Sequence, residues 1–165
     1  MNELTLDSRL FPGTVSAIIF RNGWEEVLAV MNLVKPGNWY GLPGGGIEEG
    51  ETVLEALDRE SREEAGPSIH NAVLISVKPG EYHHSFWLVT EWSGELNTEP
   101  GINPDNGIEE TDVPQWLSVE GVLSQKIPFN SPHRKALIEA LKPMLLVAAK
   151  DDKNAAFLLI ECGIS

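Results

Sequence analysis

The sequence contains very little cysteine, since Cys162 is the only one among 165 residues. A single cysteine excludes a disulfide within the chain and is typical of proteins from a reducing compartment. Long apolar runs are also lacking: "MLLVAA" and "AAFLLIEC" are far shorter than the roughly 20 residues that span a bilayer. The opening "MNELTLDSRLFPG" has neither the basic nor the apolar region of a signal peptide. These absences predict a cytoplasmic protein without a membrane partner.

Basic residues are scarce as well. Lysine and arginine number 12 against 25 acidic residues, which gives a formal net charge of −13. This balance argues against a nucleic acid duplex or an anionic membrane as partner, because phosphate backbones are bound by basic patches. A small polyphosphate could bind if a cation accompanied it. The length and the hydrophobic content of 42% predict one soluble domain over residues 1–165.

Local patterns predict alternating strands and helices. Two β-branched apolar runs predict strands at 14–20 and 26–32, and Asn22-Gly23 between them predicts a hairpin. Thr52, with Glu55 three residues later, forms a capping-box pattern for a helix from Val53 to Ala65. The mixed order indicates an α/β sandwich. The remaining expected elements are strands at 72–77, 84–92 and 113–119, an irregular loop over 94–112, and a helix over 132–142 that Pro143 kinks or breaks.

The predicted first helix carries an unusual concentration of acids. Glu60, Glu63 and Glu64 lie on one helical face, where like charges repel. Eight acids and two arginines between Glu48 and Glu64 leave six negative charges, which favours a cation site. Oxygen-only ligands select Mg²⁺, with Mn²⁺ as a substitute. A solvated acidic helix is the alternative.

Seven positions around this helix form a spaced pattern: a glycine, five residues, a glutamate, seven residues, and then R-E-x-x-E-E-x-G. The pattern resembles the signature of the Nudix hydrolase superfamily, of the MutT-like kind, over residues 45–67. Ser61 and Pro67 stand where the signature has aliphatic residues; these are packing positions, so the departures bear on local stability more than on chemistry. The matching residues are Gly45, Glu51, Arg59, Glu60, Glu63, Glu64 and Gly66.

The resemblance implies a Nudix-type α/β/α sandwich with a mixed β-sheet. It also implies Mg²⁺-dependent hydrolysis of a nucleoside diphosphate linked to a group X. Glu60, Glu63, Glu64 and the Gly44 carbonyl are the implied metal ligands, and Glu60 is the first candidate for general base. Arg59 would orient Glu60 and pair with Glu51, and Gly45 and Gly66 would support the site. Glu110, with Glu109 next, is the candidate for a further acid from a later loop; a solvated loop is the alternative.

The substrate is less defined by the sequence. Tyr82 stands roughly where related ADP-ribose hydrolases carry a proline, which favours nucleoside triphosphates. Asn130 in "PFNSP" resembles the asparagine with which MutT-type enzymes read a purine, although it could be a turn residue before a helix. Tyr82, His83, Trp87 and Trp39 could line a cleft or belong to the core.

Other functional classes stay open. An ADP-ribose or nucleotide-sugar pyrophosphatase and a non-catalytic nucleotide-binding module are the alternatives. An isoprenoid isomerase on the same fold is disfavoured, because the only cysteine lies in the tail. The apolar tail over 154–165 predicts packing on the domain or a homodimer.

Overall fold

The computed structural model describes residues 13–80 and 83–148, together with residues 150, 151, 153, 162 and 163. Tyr82 and most of the apolar tail lie outside the described residues. The elements of the first half are β1 Gly13–Ile18, β2 Phe20–Arg21, β3 Glu26–Met31, β4 Tyr40–Gly41, β5 Gly44–Gly46 and α1 Val53–Glu64. Those of the second half are β6 Ser68–Lys78, β7 His83–Ser93, β8 Gly101–Ile102, β9 Glu109–Thr111, β10 Gln115–Ser118, α2 Val119–Leu123 and α3 Ser131–Ala148.

The central sheet is mixed, as predicted. Its strand order is β5-β1-β7-β6; β1 is parallel to β7 and antiparallel to β5. A second, antiparallel sheet has the order β10-β3-β2, with β4 added to β3. Strands β8 and β9 form a separate short pair. No helix among the described residues is long and apolar enough to cross a membrane.

Strand β1 separates two hydrophobic clusters. Val15 and Ala17 belong to the cluster that contains Leu57 of α1, whereas Ile18 belongs to the cluster that contains Leu137 of α3. Both faces of the strand are buried, which explains its continuous apolar sequence. Helices therefore cover the sheet on both sides, and the α/β/α sandwich is confirmed.

The predicted hairpin is present, but its first strand changes sheets. Strand β1 ends at Ile18, and β2 pairs antiparallel with β3 in the second sheet. Asn22 and Gly23 have φ values of 53° and 70°. These left-handed conformations are the ones that a tight Asn-Gly turn needs.

Two element predictions were wrong. Helix α3 is not broken at Pro143 but continues to Ala148, because the fully buried Leu141 and Leu145 pack on either side of the proline. The predicted loop over 94–112 contains β8 and β9. The strand predicted for 113–119 is confirmed as β10, Gln115–Ser118. It ends at Ser118, because the side chain of this residue caps α2 by accepting a hydrogen bond from the Gly121 N–H.

Candidate active site

The N-terminus of α1 fixes which helical face carries the acids. Thr52 Oγ1 accepts the Glu55 N–H at 3.2 Å, and a Glu55 carboxylate oxygen accepts the Thr52 N–H at 2.8 Å, which completes the predicted capping box. Leu57 and Ser61 are buried against the sheet. This orientation turns Glu60, Glu63 and Glu64 toward the edge of the sheet, where β5 lies.

The C-terminus of α1 is closed by Gly66. Its φ of +112° is accessible to glycine and strained for other residues. A Cβ there would collide with the backbone of Glu95 and Asn97. The Asn97 N–H donates to the Ala65 carbonyl at 2.8 Å, so this glycine lets the segment after β7 approach closely and cap the helix.

Arg59 connects three parts of the site. Its Nε donates to Glu51 at 2.8 Å, Nη1 donates to Glu60 Oε1 at 2.7 Å, and Nη2 donates to the Gly46 carbonyl at 2.8 Å. The contacts with Glu51 and Glu60 are the pairings that the resemblance implied. Hydrogen bonding to Glu51 is the main cause that raises the pKa of Arg59, so the guanidinium stays charged. Burial is the largest influence on Glu51 and opposes its ionisation, but the hydrogen bonds from Arg59 and from the Glu48 backbone, together with the charge of Arg59, lower the pKa of that carboxyl.

Gly45 leaves space for the carboxylate of Glu60. A Cβ at Gly45 would overlap the Glu60 carboxylate, so the acid lies directly against the β5 backbone. The side chain of Glu60 is only 13% exposed. Its burial raises its pKa, and the hydrogen bond from Arg59 opposes that effect only partly. A raised carboxyl pKa is suited to accepting a proton near neutral pH.

Glu64 has the environment least favourable to a negative charge. Burial is the main cause that raises its pKa to about 8, and the charges of Glu60, Glu110 and Glu63 add to the effect. The hydrogen bond from the Gly44 N–H, at 2.9 Å, opposes it. The charges of three neighbouring carboxylates therefore oppose ionisation of the buried Glu64 carboxyl group, and a bound cation would favour its ionised form.

Glu63 and Glu110 complete the acidic group. The side chain of Glu63 is 36% exposed and lies 3.6 Å from Arg59 Nη1. Glu110 Oε1 accepts the side-chain N–H of Asn103 at 2.7 Å, and its charge reaches Glu64. Glu109 is exposed. The fold thus brings Glu110, rather than Glu109, toward the helix.

The donor set fits a hard divalent cation by its chemistry, because it consists of carboxylates and a backbone carbonyl. The carboxylates do not converge in this conformation: within the described residues, no group of three His, Cys, Asp or Glu side chains is arranged to hold a metal. Glu60 is directed to Arg59 and Glu64 to the Gly44 amide. Cation binding would require these two side chains to rotate.

A cavity of about 270 Å³ begins at this acidic group. Gly44, Gly45 and Glu64 form one part of its wall, and Trp39 and Asn130 form another. Trp39 is 56% exposed, so its ring is available to a bound molecule. Trp87, in contrast, is 1% exposed, so of the two alternatives that the sequence left open, the core is the correct one for this residue.

Asn130 lines the cavity and also starts a helix. Its side-chain oxygen faces the His133 N–H at 3.4 Å, and its carbonyl accepts the first helical hydrogen bond, from Arg134, at 2.8 Å. Asn130 is therefore the N-cap of α3. The two readings that the sequence left open, base recognition and helix start, are compatible at this position.

Sequence reasoning missed two histidines in the cavity wall. His84 Nε2 lies 2.8 Å from Ser16 Oγ, and the His133 ring meets the His84 ring edge-to-face at 5.2 Å. Burial lowers the pKa of His84 to about 4 and that of His133 to about 3, so both rings are neutral. Only the pairing of β7 with β1 and the packing of α3 bring them together; neighbouring residues in the sequence give no signal of this.

Comparison with known proteins agrees with the geometry. The NUDIX domain profile matches residues 10–140. The chain is 33% identical over 119 residues to nudix hydrolase 1 of Caenorhabditis elegans, covering 68% of this chain and 30% of that protein. It is 42% identical over 88 residues to the 8-oxo-dGDP phosphatase of Danio rerio, covering 51% and 26%. The chain thus spans less than a third of the length of these two relatives.

In two further comparisons, this chain covers most of the length of the matched protein. An RNA pyrophosphohydrolase of Ruthia magnifica is 29% identical over 163 residues, which covers 85% of this chain and 86% of that protein. A MutT structure, from work on Aliivibrio salmonicida and Vibrio cholerae, superposes with a TM-score of 0.61 at 23% identity and covers 77% of this chain and 96% of that one. That structure shows the likeness of fold. With the signature on α1, the cavity beside it and a profile match over most of its length, this chain belongs to the NUDIX family.

Proposed function

We propose that this chain is a Mg²⁺-dependent hydrolase, with Mn²⁺ as substitute, that cleaves the phosphoanhydride of a nucleoside diphosphate linked to X. The substrate proposed is a purine nucleoside triphosphate, giving the monophosphate and pyrophosphate. The observation that carries the proposal is that one cavity is lined by Glu64, whose carboxyl group is buried, and also by the exposed ring of Trp39 and by Asn130. The part of the cavity at Glu64 suits cation-bound phosphates, and the part at Trp39 and Asn130 suits a base.

The phosphate end consists of oxygen donors. Glu60, Glu63, Glu64 and the Gly44 carbonyl would hold the cation, with Glu110 as a further acid. When bound by these residues, a divalent cation would supply charge neutralisation of the phosphates and Lewis-acid activation of the phosphorus and of water. An acidic protein needs this neutralisation to bind a polyanion.

The chain's own residues position and deprotonate the water. Glu60 would take the proton while the water oxygen forms a new P–O bond and the bridging P–O bond breaks. Arg59 holds one oxygen of Glu60, and Glu51 holds Arg59. Gly45 gives that carboxylate its place against β5, and Gly66 lets α1 end where the chain turns away.

The nucleoside would occupy the other end of the cavity. Aromatic rings such as Trp39 stack on bases irrespective of sequence. Asn130 would supply polar contacts to a purine, and Tyr82 stays a substrate-binding candidate outside the described residues. The 8-oxo-dGDP phosphatase name of one relative supports a purine nucleotide. ADP-ribose and nucleotide sugars are the runner-up substrates.

The test is a substrate panel with product identification. Purified protein with Mg²⁺ is incubated with nucleoside triphosphates, 8-oxo-dGDP, ADP-ribose, nucleotide sugars and 5′-triphosphate RNA, and the products are resolved by ion-exchange chromatography. We expect purine monophosphate and pyrophosphate, no turnover after chelation, and none in Glu64→Gln. The matched control is Glu49→Gln, an exposed acid before the same helix. Full turnover after chelation would refute the metal mechanism, and turnover of none of the substrates would favour a binding module.

The remaining proposals concern the whole chain. We infer that residues 1–165 act as one hydrolase domain and that the protein works in the cytoplasm, where its single cysteine stays reduced. A homodimer through the tail at 154–165 is part of the same proposal.

A further inference from the structure

The ring of His133 has a fixed tautomer. Its Nδ1 lies 2.9 Å from the backbone nitrogen of Leu42, which can only donate. Nδ1 must therefore be the unprotonated nitrogen, and the hydrogen of the neutral ring is on Nε2. A Cβ at Gly41 would collide with Nδ1, so the glycine permits this close approach.

The Nε2–H group of His133 has no hydrogen-bond partner among the described residues. The ring packs edge-to-face with His84 and Phe86, and the residue lines the cavity. The low pKa of His133, caused mainly by burial, keeps its ring neutral at physiological pH. Because Nδ1 accepts the Leu42 N–H, the Nε2 atom of the neutral ring carries the hydrogen and acts as a donor. A neutral donor is suited to a base more than to a phosphate.

Asn130 provides a second donor beside it. Its Oδ1 faces the His133 N–H as the N-cap of α3, which leaves the Nδ2 amide for the cavity that both residues line. Two donors on residues that line the same cavity could contact a pair of neighbouring acceptors on one base. The O6 and N7 atoms of a 6-oxopurine are such a pair, whereas adenine presents N7 beside the N6 donor.

We propose that His133 is a specificity-determining residue whose Nε2–H donates to the O6 atom of a bound purine and so selects 6-oxopurine over 6-aminopurine nucleotides. The inference rests on the proposed function for the placement of the base in this cavity. A 6-amino group would set two donors against each other and leave the His133 Nε2–H without an acceptor, which costs binding free energy.

The test uses inosine and adenosine nucleotides, which differ only in the N1–C6 edge of the base. Their non-hydrolysable α,β-methylene triphosphates are titrated into the full chain with Mg²⁺ by isothermal titration calorimetry. We expect the inosine form to bind roughly two- to tenfold more tightly to the wild type, the range of one neutral hydrogen bond. In His133→Phe the ratio should fall to about one, and His133→Gln, which keeps a donor, should restore part of it.

The ratio separates recognition from structural damage. Loss of the Leu42 hydrogen bond in His133→Phe weakens both nucleotides equally and does not change their ratio. Circular dichroism establishes folding, and if His133→Phe does not fold, the wild-type ratio and His133→Gln decide. A wild-type ratio of one or below, or a ratio unchanged in His133→Phe, would overturn the proposal. Hydrolysis of natural nucleotides without a preference refutes only the inference, whereas preferential binding without turnover refutes only the proposed hydrolysis.

Discussion

At the scale of single residues, Glu64 is the residue whose proposed function opposes stability. Its carboxyl group would have to be ionised to bind a cation, whereas burial disfavours the ionised form. A folded pKa of about 8 against an ordinary value of 4.5 means that folding favours the protonated form. The stability of the metal-free protein should therefore fall as the pH rises from about 4.5 toward 8, because the unfolded chain loses this proton first. A cation would remove the conflict by pairing with the charge.

Replacing Glu64 by glutamine should therefore stabilise the metal-free protein. We expect Glu64→Gln to raise the free energy of unfolding by about 1–3 kcal/mol at pH 8 and by little at pH 5. The measurement is urea denaturation in the presence of a chelator at both pH values, with Glu49→Gln as the control. A variant less stable than the wild type at pH 8 would show that the Gly44 hydrogen bond outweighs the burial of charge.

Glu60 and Arg59 can be separated by turnover rate. At saturating Mg²⁺, Glu60→Gln should lower kcat by about 10²–10⁴, the contribution of a general base. Arg59→Lys keeps the positive charge but loses the simultaneous contact with Glu51 and Glu60. Because it disturbs the orientation of Glu60 without removing the base, it should lower kcat less than Glu60→Gln does. Steady-state kinetics of both variants are compared. If both variants lost little kcat and to the same extent, Glu60 would not be the general base, and Glu110 would be the next candidate.

At the scale of elements, the N-cap of α3 confounds the simplest test of Asn130. Alanine there would remove the helix cap as well as a base contact, at a cost of about 0.5–2 kcal/mol in stability. Asn130→Asp keeps the capping oxygen and removes the Nδ2 donor. We expect this variant to raise KM several-fold for purine nucleotides, to leave pyrimidine nucleotides nearly unchanged and to keep the melting temperature. A uniform rise for all nucleotides would identify a loop-shaping residue.

Pro143 is exposed and lies within α3, which packing keeps helical on both sides of the proline. Proline lacks the N–H that would bond to the carbonyl of Glu139, so Pro143→Ala should restore one helical hydrogen bond. We expect a gain of about 1–3 kcal/mol in the free energy of unfolding, with unchanged kcat. Chemical denaturation measures the gain. A loss of stability would mean that the wild-type helix is shaped around the proline.

The elements show how far local sequence signals reach. Helix α1 and the Asn22-Gly23 hairpin were predicted because capping residues and turn residues act over a few positions. Strands β8 and β9 were missed, since their two and three residues carry no periodicity and are defined by pairing with each other. Helix α3 was predicted too short, because the burial of Leu145 depends on contacts distant in sequence.

At the scale of the whole molecule, some residues of the candidate site could be predicted from local sequence and others depend on contacts distant in the chain. The glutamates of α1, Arg59 and the glycines were accessible from the sequence, because one helix and the turn before it carry them. His133 and Ser16 were not, because the cavity joins β1, β7 and α3, which lie far apart in the chain. The proposed catalytic residues of α1 are thus local in sequence, whereas the surface that would select the substrate is assembled by tertiary structure.

The association state is the last property that belongs to the whole molecule. The apolar tail at 154–165 would expose an extensive hydrophobic surface unless it packs on the domain or on a second copy. We expect the full chain to be a dimer and a chain ending at Lys153 to be a soluble monomer, as measured by light scattering after size-exclusion chromatography over a range of concentrations. A high net negative charge of −13 opposes association, so raising the ionic strength should strengthen the dimer. A truncated chain that keeps the size of the full chain would exclude the tail as the interface. If that size is a dimer, the exposed Val73, Leu74 and Val77 of β6 become the next surface to replace.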